Sequence, residues 1–167
     1  MNENYIVING KKIELTEEQL KQLGIEPEKK RKNPFERVEE DDRYYYIHVN
    51  GDVLNHIEVH DNADRELYNV INYFNDEQFA EQVSLHQLLY RKLLKFAWYN
   101  ETKDTLEWDA KNVHYGISYD CSNHKFVLEV ANIYKSDGVY FSSKEAARRA
   151  IKDVVEPFIK EHPEFVW

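Results

Sequence analysis

A chain of 167 residues, 42% apolar and 14% aromatic, can build one compact core with a small appendage, which excludes a disordered chain. Its net charge of -9 argues against direct nucleic-acid binding, its single cysteine excludes an internal disulfide, and no apolar run approaches the ~18 residues of a membrane span. The opening MNENYIVING carries no basic-then-apolar leader, so the expectation is a soluble, cytoplasmic protein that needs no membrane.

The first predicted element is a hairpin. Residues 5–8 and 11–15 flank Asn9-Gly10, a dipeptide that suits a type I′ turn because both central residues adopt positive φ. Thr16 and Gln19 then form a capping box, and Gly24 ends a helix of about two turns. Residues 1–25 thus read as an N-terminal ββα appendage. Residues 26–42 read as a charged linker, interrupted by Pro27 and Pro34 and carrying KKRK at 29–32 and EEDD at 39–42. Phe35 is expected to anchor its far end on the core.

The main domain is expected over residues 43–167. A second hairpin centres on Asn50-Gly51, and a two-residue loop there pairs Val49 with Asp52, Ile47 with Leu54 and Tyr45 with His56. That register puts Tyr45, Ile47, Val49 and Leu54 on one face and Tyr44, Tyr46, His48, Val53 and Ile57 on the other. Neither face is polar, so either helices cover both or an aromatic face meets a partner. Residues 60–67, HDNADREL, read as a turn-rich connection, and 68–74, YNVINYF, as a short strand. Asn75 with Gln78 then caps a long central helix that ends near Asn100. Its apolar stripe runs through Phe79, Val83, Tyr90, Leu93 and Ala97, widened by Leu85, Leu88, Leu89 and Phe96.

A strand follows from Val113 to Asp120, with CSNH as a turn and a return from Lys125 to Ala131. DGVYFSS supplies another turn and short strand. Ser142 with Glu145 caps a C-terminal amphipathic helix, which Pro157 should kink or end. The fold class is therefore α+β: antiparallel hairpins packed on one long central helix and a C-terminal amphipathic helix. Residues 71–81, INYFNDEQFAE, and 138–148, GVYFSSKEAAR, echo each other, with Tyr-Phe, a capping box and an Ala at the same offset.

The charge is segregated. Residues 33–78 hold 3 Lys/Arg against 12 Asp/Glu, a net of -9, while 1–32 carry +1, 79–111 zero and 112–167 -1. Such local acidity suits a basic partner. Catalytic chemistry finds little support. His56 and His60 are four apart, a metal-ligand spacing on a helix, but in an extended segment they stand too far apart for one ion. Cys121 beside Asp120 and His124 reads as an inert turn residue. The carboxylate runs lie in a linker and a loop, not across a rigid pocket, and no P-loop, GxGxxG, HExxH, CxxC or GxSxG occurs. No catalytic residue, cofactor or metal site is assigned.

The segments RYYYIHVNGDV, NYFNDEQFAE, LLKFAWYN, WDAKNVHYGISYD and VYFSSKEAARRAI resemble a family of small phage and prophage accessory proteins of low-GC Gram-positive bacteria, over roughly residues 33–151. The shared pattern is a tyrosine-rich strand, an NYF entering a capped helix, and a Y-x-I-x-YD strand. The acidic stretch at 56–64 departs from it, where relatives more often carry aromatic and polar residues. The resemblance brings no catalytic residues. It implies an accessory protein that binds a host protein.

The leading expectation is therefore a non-enzymatic, phage-encoded inhibitor acting in the bacterial cytoplasm, anti-CRISPR-like in that its target is a defence or nucleic-acid-handling factor with a basic surface. Glu39, Glu40, Asp41, Asp42, Asp61, Asp64 and Glu66 would supply charge, and Tyr44 and Tyr46 contact area. One alternative is a module for a nucleotide signal, with an aromatic pocket between sheet and long helix and Arg91 or Lys95 on phosphate. Another is a virion or assembly component. Homo-oligomer formation is left open.

Overall fold

The computed structural model describes residues 5–8, 11–14, 33–100, 108 and 111–167. The chain divides into two compact units, Met1–Asn33 and Pro34–Trp167. In the first, β1 (Tyr5–Ile8) and β2 (Lys11–Glu14) pair antiparallel with Ile8 opposite Lys11. Two residues join them, as Asn9-Gly10 predicts. The helix expected at 16–24 and the 26–32 part of the linker lie outside the described residues.

The second unit is α+β. Its elements are β3 (Arg43–Ile47), β4 (Val53–Ile57), α1 (Asn62–Asn69), α2 (Glu77–Tyr99), β5 (His114–Asp120), β6 (Lys125–Ala131), α3 (Lys144–Ala150) and α4 (Glu156–Glu161). Strands β3 and β4 pair antiparallel, as do β5 and β6. Residues 34–42, read above as linker, belong to this unit. Phe35 packs on Phe74 and Phe79 at 5.5 and 5.2 Å between ring centres, the anchoring expected of it.

The β3–β4 register differs from the expected one by a residue. Ile47 faces Val53, Tyr46 faces Leu54, Tyr45 faces Asn55 and Tyr44 faces His56. The loop has three residues, Val49-Asn50-Gly51. Gly51 donates its N–H to the His48 carbonyl at 2.9 Å and sits at φ +95°. This is a tight turn followed by a left-handed glycine, the second common hairpin solution. The Asn50 side chain favours it, accepting from Asp52 N–H at 3.1 Å and donating to the Asp52 carboxylate at 2.7 Å. Tyr44, Tyr46, Leu54 and His56 consequently share a face. The β5–β6 pair matches expectation, with Asp120 opposite Lys125 across Cys121–His124.

Between β4 and α2 the expected strand is instead a helix and a single bridge. Asp61 caps α1 by accepting from Asp64 N–H, and Asp64 reaches back to Asp61 N–H, so the capping box closes on two acids. After α1, Tyr45 and Phe74 exchange both backbone bonds at 2.8 Å. Asp76, not Asn75, then caps α2. The second half repeats this plan. Tyr115 and Phe141 exchange both backbone bonds at 2.9 Å, and Ser143, not Ser142, caps α3. The echo of 71–81 in 138–148 is thus a structural one: a Tyr-Phe bridge to the first strand of the preceding hairpin, then a helix cap two residues later, with α1 inserted before the bridge in the first half.

The core gathers Leu89, Leu93 and Ala97 of α2, Phe141, the alanine face of α3 (Ala146, Ala147, Ala150), and Val155, Phe158 and Phe165. Small residues at Ala97, Ala147 and Ala150, each fully buried, let the two helices approach. The disruption expected at Pro157 takes the form of a widened turn. Pro157 has no N–H to donate, and over Ile151–Val155 the helix opens so that Glu156 N–H reaches the Ile151 carbonyl five residues back. The helix then continues to Glu161. No helix among the described residues is long and apolar enough to cross a membrane.

Candidate functional site

The acidic segment folds against the open end of the β3–β4 hairpin. Asp42 N–H bonds the Glu39 carbonyl at 3.1 Å, closing a turn in which Asp41 takes φ +71°, a conformation aspartate tolerates better than most residues. Asp41 N–H donates to the Glu58 carbonyl, and Glu58 N–H to the Asp42 carbonyl, both at 2.9 Å. These bonds extend the ladder and fix the exposed Glu39, Glu40, Asp41 and Asp42 beside the stretch that leads from Glu58 to the exposed Asp61.

Two of the expected contact residues are interior instead. Tyr44 and Asp64 are 1% and 0% exposed, and Glu58 is fully buried beside them. Tyr46 is half-buried. Glu66 is exposed, but two helical steps of about 100° each turn it away from buried Asp64 and off the acidic end. The structure therefore brings Glu39, Glu40, Asp41, Asp42 and Asp61 together, removes Tyr44 and Asp64 from the surface, and sets Glu66 apart.

Burying two carboxylates demands donors. Glu58 receives Arg37 in a two-pronged bond, Nε to Oε2 at 2.7 Å and Nη2 to Oε1 at 2.9 Å, the Tyr73 hydroxyl at 2.8 Å and His60 N–H at 2.8 Å. Asp64 receives the Tyr44 hydroxyl at 2.7 Å, Val59 N–H at 2.9 Å and Asp61 N–H at 3.2 Å. The Tyr44 and Tyr73 rings stack at 4.1 Å, and Tyr68 meets Tyr73 edge-on at 5.4 Å. The exposed imidazoles flank the pair: His60 Nδ1 lies 3.1 Å from Glu58 Oε1 and His56 Nδ1 3.8 Å from Asp64 Oδ1.

The electrostatics follow from these bonds. The Arg37 guanidinium holds the Glu58 carboxyl below its ordinary range, against the opposing effect of burial. For Asp64, burial pushes the pKa up, and the donors from Tyr44, Val59 and Asp61 outweigh it, leaving a value of about 2. Burial, followed by the bonds to these carboxylates, raises both tyrosine hydroxyls above their usual range. The carboxylate oxygens are thus committed to fixed donors, which suits a rigid support beneath the acidic turn. Among the described residues no group of three His, Cys, Asp or Glu is placed to hold a metal.

Arg37, Glu58 and Tyr73 escaped the sequence reading. Their partners lie 15 and 21 residues away; the one local signal of order was the Asp61-x-x-Asp64 capping pattern, which the turn-rich reading of 60–67 passed over.

A cleft of about 240 Å³ lies elsewhere in the unit, between α2 and the β5–β6 sheet, walled by Tyr90, Ile117, Tyr140, Phe165 and Trp167. Arg91 and Lys95, the phosphate ligands expected of a nucleotide module, are not among its lining residues. Compared with protein-family models, curated proteins and solved structures, the chain matches none.

Proposed function

We propose that the protein is a non-enzymatic, phage-encoded binding protein that docks the acidic end of its β3–β4 hairpin on a basic surface of a host protein and inhibits it. The observation that carries this reading is the pinned acidic turn. Glu39–Asp42 are pinned to Glu58, three residues before the exposed Asp61, by the Asp41–Glu58 and Glu58–Asp42 backbone bonds. Glu39, Glu40, Asp41, Asp42 and Asp61 are all exposed there, so the field at this end is negative. A preordered charged surface steers a basic partner and loses little entropy on docking. In this reading the target is a defence or nucleic-acid-handling protein of the bacterial cytoplasm, whose basic groove the acids would occupy.

The test is affinity capture from host lysate with wild type and a Glu39→Gln, Glu40→Gln, Asp41→Asn, Asp42→Asn variant as parallel baits. Wild type should retain a basic protein that elutes as salt rises, and the variant, with an unchanged circular dichroism spectrum, should lose it. Equal capture by both baits, or retention insensitive to salt, would overturn the proposal.

A further inference from the structure

The cleft between α2 and the β5–β6 sheet has a chemistry of its own. Its floor is apolar, built from Leu89, Leu93 and Val139 of the core. Aromatic rings form the walls, with Tyr90 and Trp167 exposed at the rim and Phe165 buried below them. One wall is the chain's final stretch, held by Gln82, which donates to the Glu164 carbonyl at 2.8 Å and accepts from Val166 N–H at 2.9 Å.

Gly116 makes the room. It is buried in mid-strand, and a Cβ there would stand 3.2 Å from Cε1 of Tyr140. Directly opposite it in the ladder is Glu129, whose side chain stands on the same face of the sheet. The Ser118 hydroxyl donates to Glu129 Oε2 at 3.0 Å and orients the carboxylate. Among the described residues Glu129 is the only Asp or Glu in the lining, no Lys or Arg joins it, and the one other ionisable side chain besides the tyrosines, His86, packs its ring on Phe165 at 4.7 Å. A slot with flat aromatic walls and one carboxylate is complementary to a flat, positively charged guest and repels an anionic one. Its volume lies below the roughly 300–1,000 Å³ of pockets for drug-sized ligands, so it suits one or two rings.

We infer that this cleft binds a small arylalkylamine, its ring between Tyr90, Trp167 and the apolar floor and its ammonium on Glu129. The inference is independent of the acidic docking end, and neither depends on the other. Tryptamine and indole-3-acetate test it, since they share a ring system and carry opposite charge. In amide NMR titrations of the full chain, tryptamine should shift the Gly116 and Gly138 signals saturably, with indole-3-acetate at least tenfold weaker. Glu129→Gln should abolish that preference, and Glu129→Lys should reverse it. Both substitutions fall on an exposed side chain and should leave the rest of the spectrum in place. The inference is overturned if tryptamine produces no saturable shift, if both probes bind equally, or if the preference survives in Glu129→Gln.

Discussion

Replacing Tyr44 by Phe tests whether this tyrosine is a support and not a contact residue. The substitution keeps the ring that stacks on Tyr73 at 4.1 Å and deletes the hydroxyl that donates to Asp64 at 2.7 Å. A hydrogen bond to a charged group contributes about 1.5–3 kcal/mol. Asp64 retains the Val59 and Asp61 N–H donors, so a loss of about 2 kcal/mol is expected at pH 7. That should lower the melting temperature by about 6–10 °C for a unit of this size.

The pH dependence sharpens the test. Asp64 has a folded pKa of about 2 against an ordinary 3.8, so its contribution is complete above about pH 4 and is lost as pH falls through 2. Tyr44 is raised above 10.0, so its contribution is complete below pH 10 and is lost as the pH climbs beyond that. The gap between wild type and Tyr44→Phe should therefore be widest from pH 4 to 10 and close on both sides. Urea unfolding followed by tryptophan fluorescence across that range measures it. A loss under about 0.5 kcal/mol at pH 7, or a gap that does not narrow toward pH 3, would refute the reasoning.

Two further outcomes follow from the same structure. Gly51→Ala should cost about 1–2 kcal/mol in urea unfolding, because φ is +95° there while the nearest atom to an added Cβ, Ser84 Oγ, is an unstrained 3.9 Å away; an unchanged midpoint would show that the turn relaxes freely. Gln82→Ala removes both bonds that hold the final stretch and should cost about 1 kcal/mol, with faster hydrogen exchange at the Val166 amide and weaker tryptamine binding; unaltered exchange would mean that Phe165 alone seats that segment.

The elements that announced themselves were those with long periodic patterns. The stripe from Phe79 to Ala97 gave the central helix, and the alternation across Val113–Ala131 gave the third hairpin. Local choices between near-equivalent residues were harder. Asn50-Gly51 and Asn9-Gly10 are the same dipeptide, yet one closes a three-residue loop and the other leaves two residues between paired strands. The three-residue loop carries the Asn50–Asp52 side-chain bonds, which the dipeptide alone does not announce. Both long-helix caps fell one residue later than expected because two competent residues stand side by side, Asn75-Asp76 and Ser142-Ser143. Helix α1 has only two turns, too few to leave a periodic signal. At the candidate site the surplus charge and the exposure of Glu39–Asp42 were legible. Which acids go inside was not, because that depends on Arg37 and Tyr73 meeting Glu58 across the fold.

The two hairpin–bridge–helix segments show how one scaffold yields two different surfaces. Aligning the bridges, Tyr45 with Tyr115 and Phe74 with Phe141, sets Tyr73 against Tyr140 and Tyr46 against Gly116. Both Tyr73 and Tyr140 are buried and need a partner for the hydroxyl. Tyr73 bonds the Glu58 carboxylate, which brings in Arg37 and sits beside Asp64. Tyr140 bonds the neutral Ser136 hydroxyl at 2.7 Å. The first segment thereby places fixed negative charge under its acidic turn. At the next position the first segment has Tyr46 paired with Leu54, a ring and an aliphatic chain that cover the sheet, whereas the second has Gly116 paired with Glu129. A missing side chain opposite a carboxylate is what opens a charged slot there. These two positions distinguish the segments locally, on a shared hairpin and bridge to which the first segment adds α1.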